Sequence, residues 1–90
     1  MAAGNDAAVK TARTKIDHVI ASGMTAGTLW RHYKNKKVYQ IVGYSVHTDT
    51  CEATICYQSL ETQECWSRRL DEFVEVADKV TAERRFTKVG

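Results

Sequence analysis

A chain of 90 residues has room for one domain and one core. A domain of this size buries only about 60–65% of the surface of its unfolded chain, which leaves little over for a deep enclosed cavity. Hydrophobic residues make up 43% and charged residues 27%, which argues against a wholly disordered chain, and the net charge of +2 is mild compared with a dedicated nucleic-acid tail. No apolar run approaches the roughly 18 residues of a membrane span, and the first residues lack the apolar core of a secretory leader. Cys51, Cys56 and Cys65 are odd in number and show no tight framework spacing. A reduced compartment follows, so the expectation is an intracellular, cytoplasmic protein with no membrane attachment.

Residues 1–5 read as a frayed end. A helix is expected from Asp6, whose carboxylate can accept from the free amides of the first turn. Val9, Ala12, Ile16, Val19 and Ile20 recur at helical spacing and make one apolar stripe. Gly23 can take the left-handed backbone that ends a helix, and residues 22–27 form a connector.

Beyond Gly27 the composition shifts to aromatic and branched residues. Residues 28–33 suit a short strand, residues 34–37 a polar turn, and residues 38–47 a longer strand that Gly43 bulges or bends. In residues 52–59, Ala53, Ile55 and Tyr57 alternate with Thr54, Cys56 and Gln58, the period of a half-buried strand. Residues 65–70 suit a fourth strand, residues 71–76 a helical turn with Phe73 inward, and residues 85–89 a last strand. Short strands spaced by about 8–12 residues favour a small barrel, whose closure removes exposed edges.

Several blocks carry a resemblance to a known family: Trp30-Arg31-His32-Tyr33-Lys34, His47-Thr48-Asp49-Thr50, Cys56-Tyr57-Gln58, Trp66-Ser67-Arg68-Arg69-Leu70 and the closing Arg85-Phe86. The first four resemble, in order, the patterns YRHYKG, HSET, VYQ and WxRPL of the family termed domain of unknown function 1653, and the last looks like that family's end. The stretch 27–86 therefore resembles that family over about two thirds of the chain. The resemblance implies a mainly β protein, a small SH3-like antiparallel barrel at residues 27–90, with an added N-terminal helix and connector at residues 1–26. It implies no catalytic residues, because the family's activity is not established. Two departures stand out. Arg69 replaces the proline of the last block, and Asn35 stands where the family has glycine, with asparagine tolerating left-handed geometry.

Four constellations bear on chemistry. Arg31, His32, Tyr33, His47, Tyr57, Trp66 and Arg68 combine cationic forks for phosphate or carboxylate with flat faces for stacking. Strand alternation sends Arg31 and His32 to opposite faces. The plainer alternative makes Tyr33, Tyr57 and Trp66 core and pairs the arginines with Asp49, Glu52 or Glu64. His47 with the cysteines has the donors of a zinc site but not its spacing, so no metal and no cofactor are expected. A Cys–His pair for catalysis lacks any nucleophile elbow, phosphate loop or zinc-protease motif, so no enzyme is expected. Arg31, Lys34, Lys36 and Lys37, with Arg68, Arg69, Arg84, Arg85 and Lys88, make a basic surface diluted by nearby acids. The resulting expectation is a non-catalytic binding module for nucleic acid or a nucleotide-like anion. The alternative is a protein-interaction module that binds a peptide through the helix or an aromatic groove, and a small enzyme ranks third.

Overall fold

The computed structural model describes residues 6–78, 80 and 82–90; the frayed end expected at residues 1–5 lies outside them. The first helix, α1, runs Asp6–Ala21. It ends in a Schellman arrangement: the Gly23 amide donates to the Ile20 carbonyl and the Met24 amide to the Val19 carbonyl. Gly23 has φ +109, where any Cβ is strained. Of the expected stripe, Ala12 is buried, Val9, Ile16 and Val19 are half-buried, and Ile20 is exposed. The helix thus packs on the core instead of standing free.

Strands β1 (Leu29–His32), β2 (Val38–Val46), β3 (Ala53–Ser59), β4 (Cys65–Arg69) and β7 (Phe86–Val89) form one antiparallel sheet in the order β4-β3-β2-β1-β7. A five-residue helix, α2 (Leu70–Val74), follows β4 without a break. Two short strands, β5 (Val76–Asp78) and β6 (Glu83–Arg84), pair with each other. They were not foreseen, because strands of three and two residues carry no readable period.

The expected closed barrel is not formed. The sheet is mainly β and antiparallel as anticipated, but β4 and β7 are its free edges and share no ladder. The reason lies in the chain between them. At the end of β4 the backbone turns into α2, whose Phe73 stacks on Phe86 of β7 with ring centroids 4.0 Å apart. Arg85, just before β7, donates its amide to the Glu75 carbonyl and its Nε to the Glu72 carbonyl. The helix bridges the two edges where a β4–β7 ladder would have run.

Strand register decides which side chains share a face. Tyr57 lies opposite Ile41 and Trp66, Ile55 opposite Tyr44 and Arg68, and Trp30 opposite Tyr39 and Lys88. Trp30, His32, Tyr39, Ile41, Tyr44, Val46, Ala53, Ile55, Tyr57, Trp66, Arg68 and Phe86 therefore share one face. The register slips between Ile41 and Gly43, leaving Val42 as an extra, exposed residue. Were Val42 to take a regular place in the ladder, the second half of β2 would present Gly43 and Ser45 to the core in place of Tyr44 and Val46.

The core sits on this face under α1 and α2. Ile41, Ile55, Leu70 and Phe73 are its most deeply buried large side chains. Tyr44 ties the connector down by donating its hydroxyl to the Met24 carbonyl, and burial raises its pKa to about 12. Phe73→Ala is expected to cost about 3–5 kcal/mol, the range for truncating a fully buried aromatic. Ile20→Ser, at an exposed position of the same stripe, should stay within about 0.5 kcal/mol. Chemical denaturation of both variants checks the contrast, and a loss below about 1 kcal/mol for Phe73→Ala would refute the packing.

Candidate functional site

The helices do not cover the whole inner face. At the end of the sheet nearest the 34–37 turn, a cleft of about 180 Å³ remains open, lined by His32, Asn35, Tyr39, Tyr57, Trp66, Arg68 and Phe86. It lies between the two free edges: Trp66 and Arg68 come from β4, Phe86 from β7. Its floor is a network of rings. Tyr57 meets Tyr39 at 5.3 Å and Phe86 at 5.4 Å, and His32 meets Phe86 edge-on at 5.0 Å. Such edge contacts fix ring orientation beyond what burial alone provides.

The expected ligand-binding set divides. His32, Tyr57, Trp66 and Arg68 converge in the cleft. Tyr33 adjoins it through a ring contact with His32 at 5.1 Å. Arg31 does not join them: alternation puts it on the opposite face, exposed. His47 lies eight residues from Tyr39, past the far end of β2, about 26 Å away at 3.3 Å per residue. Its Nδ1 accepts from the Asp49 and Thr50 amides and holds a turn together. His47 lines a separate cleft with Val9, Arg13, Val46, Thr48 and Cys51.

The plainer reading is also half correct. Tyr57 is core, at 6% exposure, yet Trp66 is 51% exposed. The arginines find carboxylates, though mostly a different one from those expected. Arg68 Nη1 lies 3.6 Å from Glu72 Oε2. Arg69 bonds Glu72 at 2.7 Å and approaches Glu52 at 3.5 Å. The hydrogen bond from Arg69, followed by the charges of Arg69, Arg68 and Arg85, holds the Glu72 carboxyl below its usual range.

Asn35, Tyr39 and Phe86 complete the cleft and were not among the expected ligand-binding residues. Tyr39 was findable, since the pairing that faces it to Trp30 follows from two strands joined by a short turn. Asn35 Oδ1 accepts from the Lys37 amide and its Nδ2 donates to the Tyr39 hydroxyl. The left-handed residue of this turn is Lys36, at φ 62, and not Asn35. Asparagine instead serves as an Asx-type brace.

Two groups give the cleft its polarity. Arg68 donates Nε to the Tyr57 hydroxyl at 3.3 Å and is held between that oxygen and Glu72. The His32 Nδ1 accepts from the Lys34 amide at 3.2 Å, so the neutral ring carries its proton on Nε2. Burial, then the charges of Arg68, Arg85 and Lys34, push the His32 pKa below its ordinary value. The charges acting on His32 are cationic, and the two arginines among them are paired with Glu72 and Glu75. An anion seated there meets a guanidinium and an imidazole, and a flat group meets the exposed indole of Trp66.

The thiols stand elsewhere. Cys51 is buried in the turn after β2, at φ 58, Cys56 is half-buried and Cys65 exposed, the last two on the outer face of the sheet. Among the described residues no group of three or more histidine, cysteine or carboxylate side chains is placed to hold a metal ion. No helix among them is long and apolar enough to cross a membrane.

Comparison with known proteins supports the expected family. No curated protein and no solved structure matches the chain. A family model does match, over residues 28–88, and its description is protein of unknown function (DUF1653). That span contains β4, β7 up to Lys88, the bulged strand and every residue of the cleft. The chain belongs to the DUF1653 family.

Proposed function

We propose that the protein is a non-catalytic binding module whose cleft takes one planar ring against Trp66 and one anionic group against Arg68, the chemistry of a nucleotide unit in single-stranded nucleic acid. The observation that carries this reading is the register of β4: Trp66 and Arg68 stand two residues apart on the inner face, so an exposed indole and a braced guanidinium border the same cleft. Aromatic stacking is tolerant of base identity, while a guanidinium recognises phosphate through parallel hydrogen bonds.

Size and charge narrow the ligand. Drug-sized ligands occupy clefts of about 300–1,000 Å³, so this smaller one suits a single ring and not a whole cofactor. A methylated amine would also suit an aromatic wall, but Arg68, Arg85 and Lys34 all act on this region with the wrong sign for a cation. Lys34 and Lys36, exposed on the adjoining turn, add diffuse attraction for a polyanion.

A peptide-binding role has one observation in its favour, an apolar groove between α1 and α2 lined by Thr14, His18, Val19, Leu70 and Val74. Salt separates the two. Binding of a strand should weaken steeply as salt rises, whereas an apolar groove is little affected.

The test is titration with short single-stranded oligonucleotides carrying a fluorescent label, read by the anisotropy of the label. Trp66→Ala should lose about 1–3 kcal/mol of affinity, the worth of one stacked base. Arg68→Ala should weaken binding without unfolding the domain, because its pair with Glu72 is partly exposed and contributes little stability. Arg31→Ala and His47→Ala, outside the cleft, should bind as the parent does. Equal affinity in the parent and in both cleft variants would refute the site.

A further inference from the structure

His32 is the one titratable imidazole in the cleft, and its hydrogen bonding leaves it two incompatible states. In the neutral ring, Nδ1 is an acceptor and holds the Lys34 amide at 3.2 Å. In the charged ring both nitrogens are donors, so that bond cannot persist. The ring is fixed on its other sides by Phe86, edge-on at 5.0 Å, and by Tyr33 at 5.1 Å. Protonation therefore acts first on the turn that holds Lys34, Asn35, Lys36 and Lys37.

The charged groups around the ring come from three elements. Arg68 reaches it from β4, Arg85 from the residue before β7, and Lys34 from the turn. Glu72 and Glu75 are turned to other partners: Glu72 to Arg68 and Arg69, Glu75 to Arg85. The tyrosine hydroxyls are also engaged, Tyr57 by Arg68 and Tyr39 by Asn35. The free cleft thus has cations beside His32 and no counter-charge devoted to it. A bound anion would supply that charge.

We propose that capture of an anion in this cleft brings a proton with it: a phosphate group seated between Arg68 and His32 is bound together with one proton, which adds to His32 Nδ1 and displaces the Lys34 amide from it. This inference rests on the reading of the cleft as an anion site. The balance is simple: one proton comes from solvent, one nitrogen–hydrogen bond forms, and one hydrogen bond from the Lys34 amide breaks. The freed amide and the Lys34 ammonium then become available to the same anion. The turn acts as a clasp that loosens as the ligand arrives.

The sign of the pH effect follows. In the free protein, burial and the neighbouring cations hold the His32 pKa below its ordinary value. In the complex the phosphate favours the charged ring, so titration moves upward. The complex then binds more protons than the free protein, and affinity rises as pH falls between the two values, by up to about tenfold per unit.

A short oligodeoxythymidylate with hydroxyl ends is the suitable probe, because none of its groups titrates in the range where histidine does. Calorimetric titration in two buffers of different ionisation enthalpy measures the protons taken up, and NMR of the imidazole carbons follows His32 itself. The expected results are uptake of up to one proton, an upward move of the His32 titration when the probe is added, and His32→Gln binding with an affinity that no longer changes across this range. Binding that is independent of pH, with the His32 titration unmoved, would overturn the inference and leave the proposed function standing. Proton uptake that survives in His32→Gln would overturn it as well. Failure of the probe to bind at any pH would overturn both. The NMR titration of the parent protein decides the question even if the variant fails to fold.

Discussion

The stack of Phe73 on Phe86 is the contact on which most of the molecule depends. One ring belongs to a helix of five residues, too short to be stable alone, and the other to a four-residue edge strand. Tyr57 leans on both rings, at 5.5 Å and 5.4 Å. Tyr57 also belongs to β3, one strand in from the opposite edge of the sheet. This aromatic cluster therefore joins the two ends of a sheet that has no ladder to do so. It also forms the floor of the cleft, since Tyr57 and Phe86 face both the core and the open side. Fold stability and ligand geometry are carried here by the same rings. The polar groups that could distinguish ligands, Arg68 and His32, are attached to the rim of that floor, where solvent still reaches them.

Much of this was legible in the residues. The alternation of β3 is regular because one face is covered and the other is not, and Ala53, Ile55 and Tyr57 are buried as the pattern requires. Gly43 marked the bulge, which falls beside it, and Gly23 marked the helix end, where its positive φ restricts other residues. Closure was misjudged for a reason that local pattern cannot show. Strand count and spacing are the same for a closed barrel and for an open sheet bridged by a helix. The difference lies in α2, whose first residue follows the last residue of β4 with no intervening loop.

The site was partly legible by the same logic. His32, Tyr57, Trp66 and Arg68 are brought together because alternation and register place them on one face. Arg31 was separated from them by the alternation that had already been recognised, and His47 by strand length, a distance that a list of residue types does not contain. Asn35 and Tyr39 were not placed in the site, because one was read only as a turn residue and the other only as a strand aromatic. Their roles arise from a bond between them across the turn.

The bulge at Val42 gives the long strand an unusual genetic property. In a regular strand, losing one residue exchanges inside for outside from that point on, and the core is lost with it. Here the chain already contains one such offset, and it is what lets Tyr39 and Ile41 share a face with Tyr44 and Val46. Position 42 is therefore a place in β2 where a gap keeps the phase: without Val42, Ile41 and Tyr44 stand two residues apart as a regular strand requires, and the pairings of both halves with β3 are unchanged. Its side chain is exposed, so its chemistry is also nearly free to drift. Among variants of this chain, the position should vary in identity and in existence, whereas a gap at Tyr39 to Ile41 or at Tyr44 to Val46 would have to be offset by loss of the bulge.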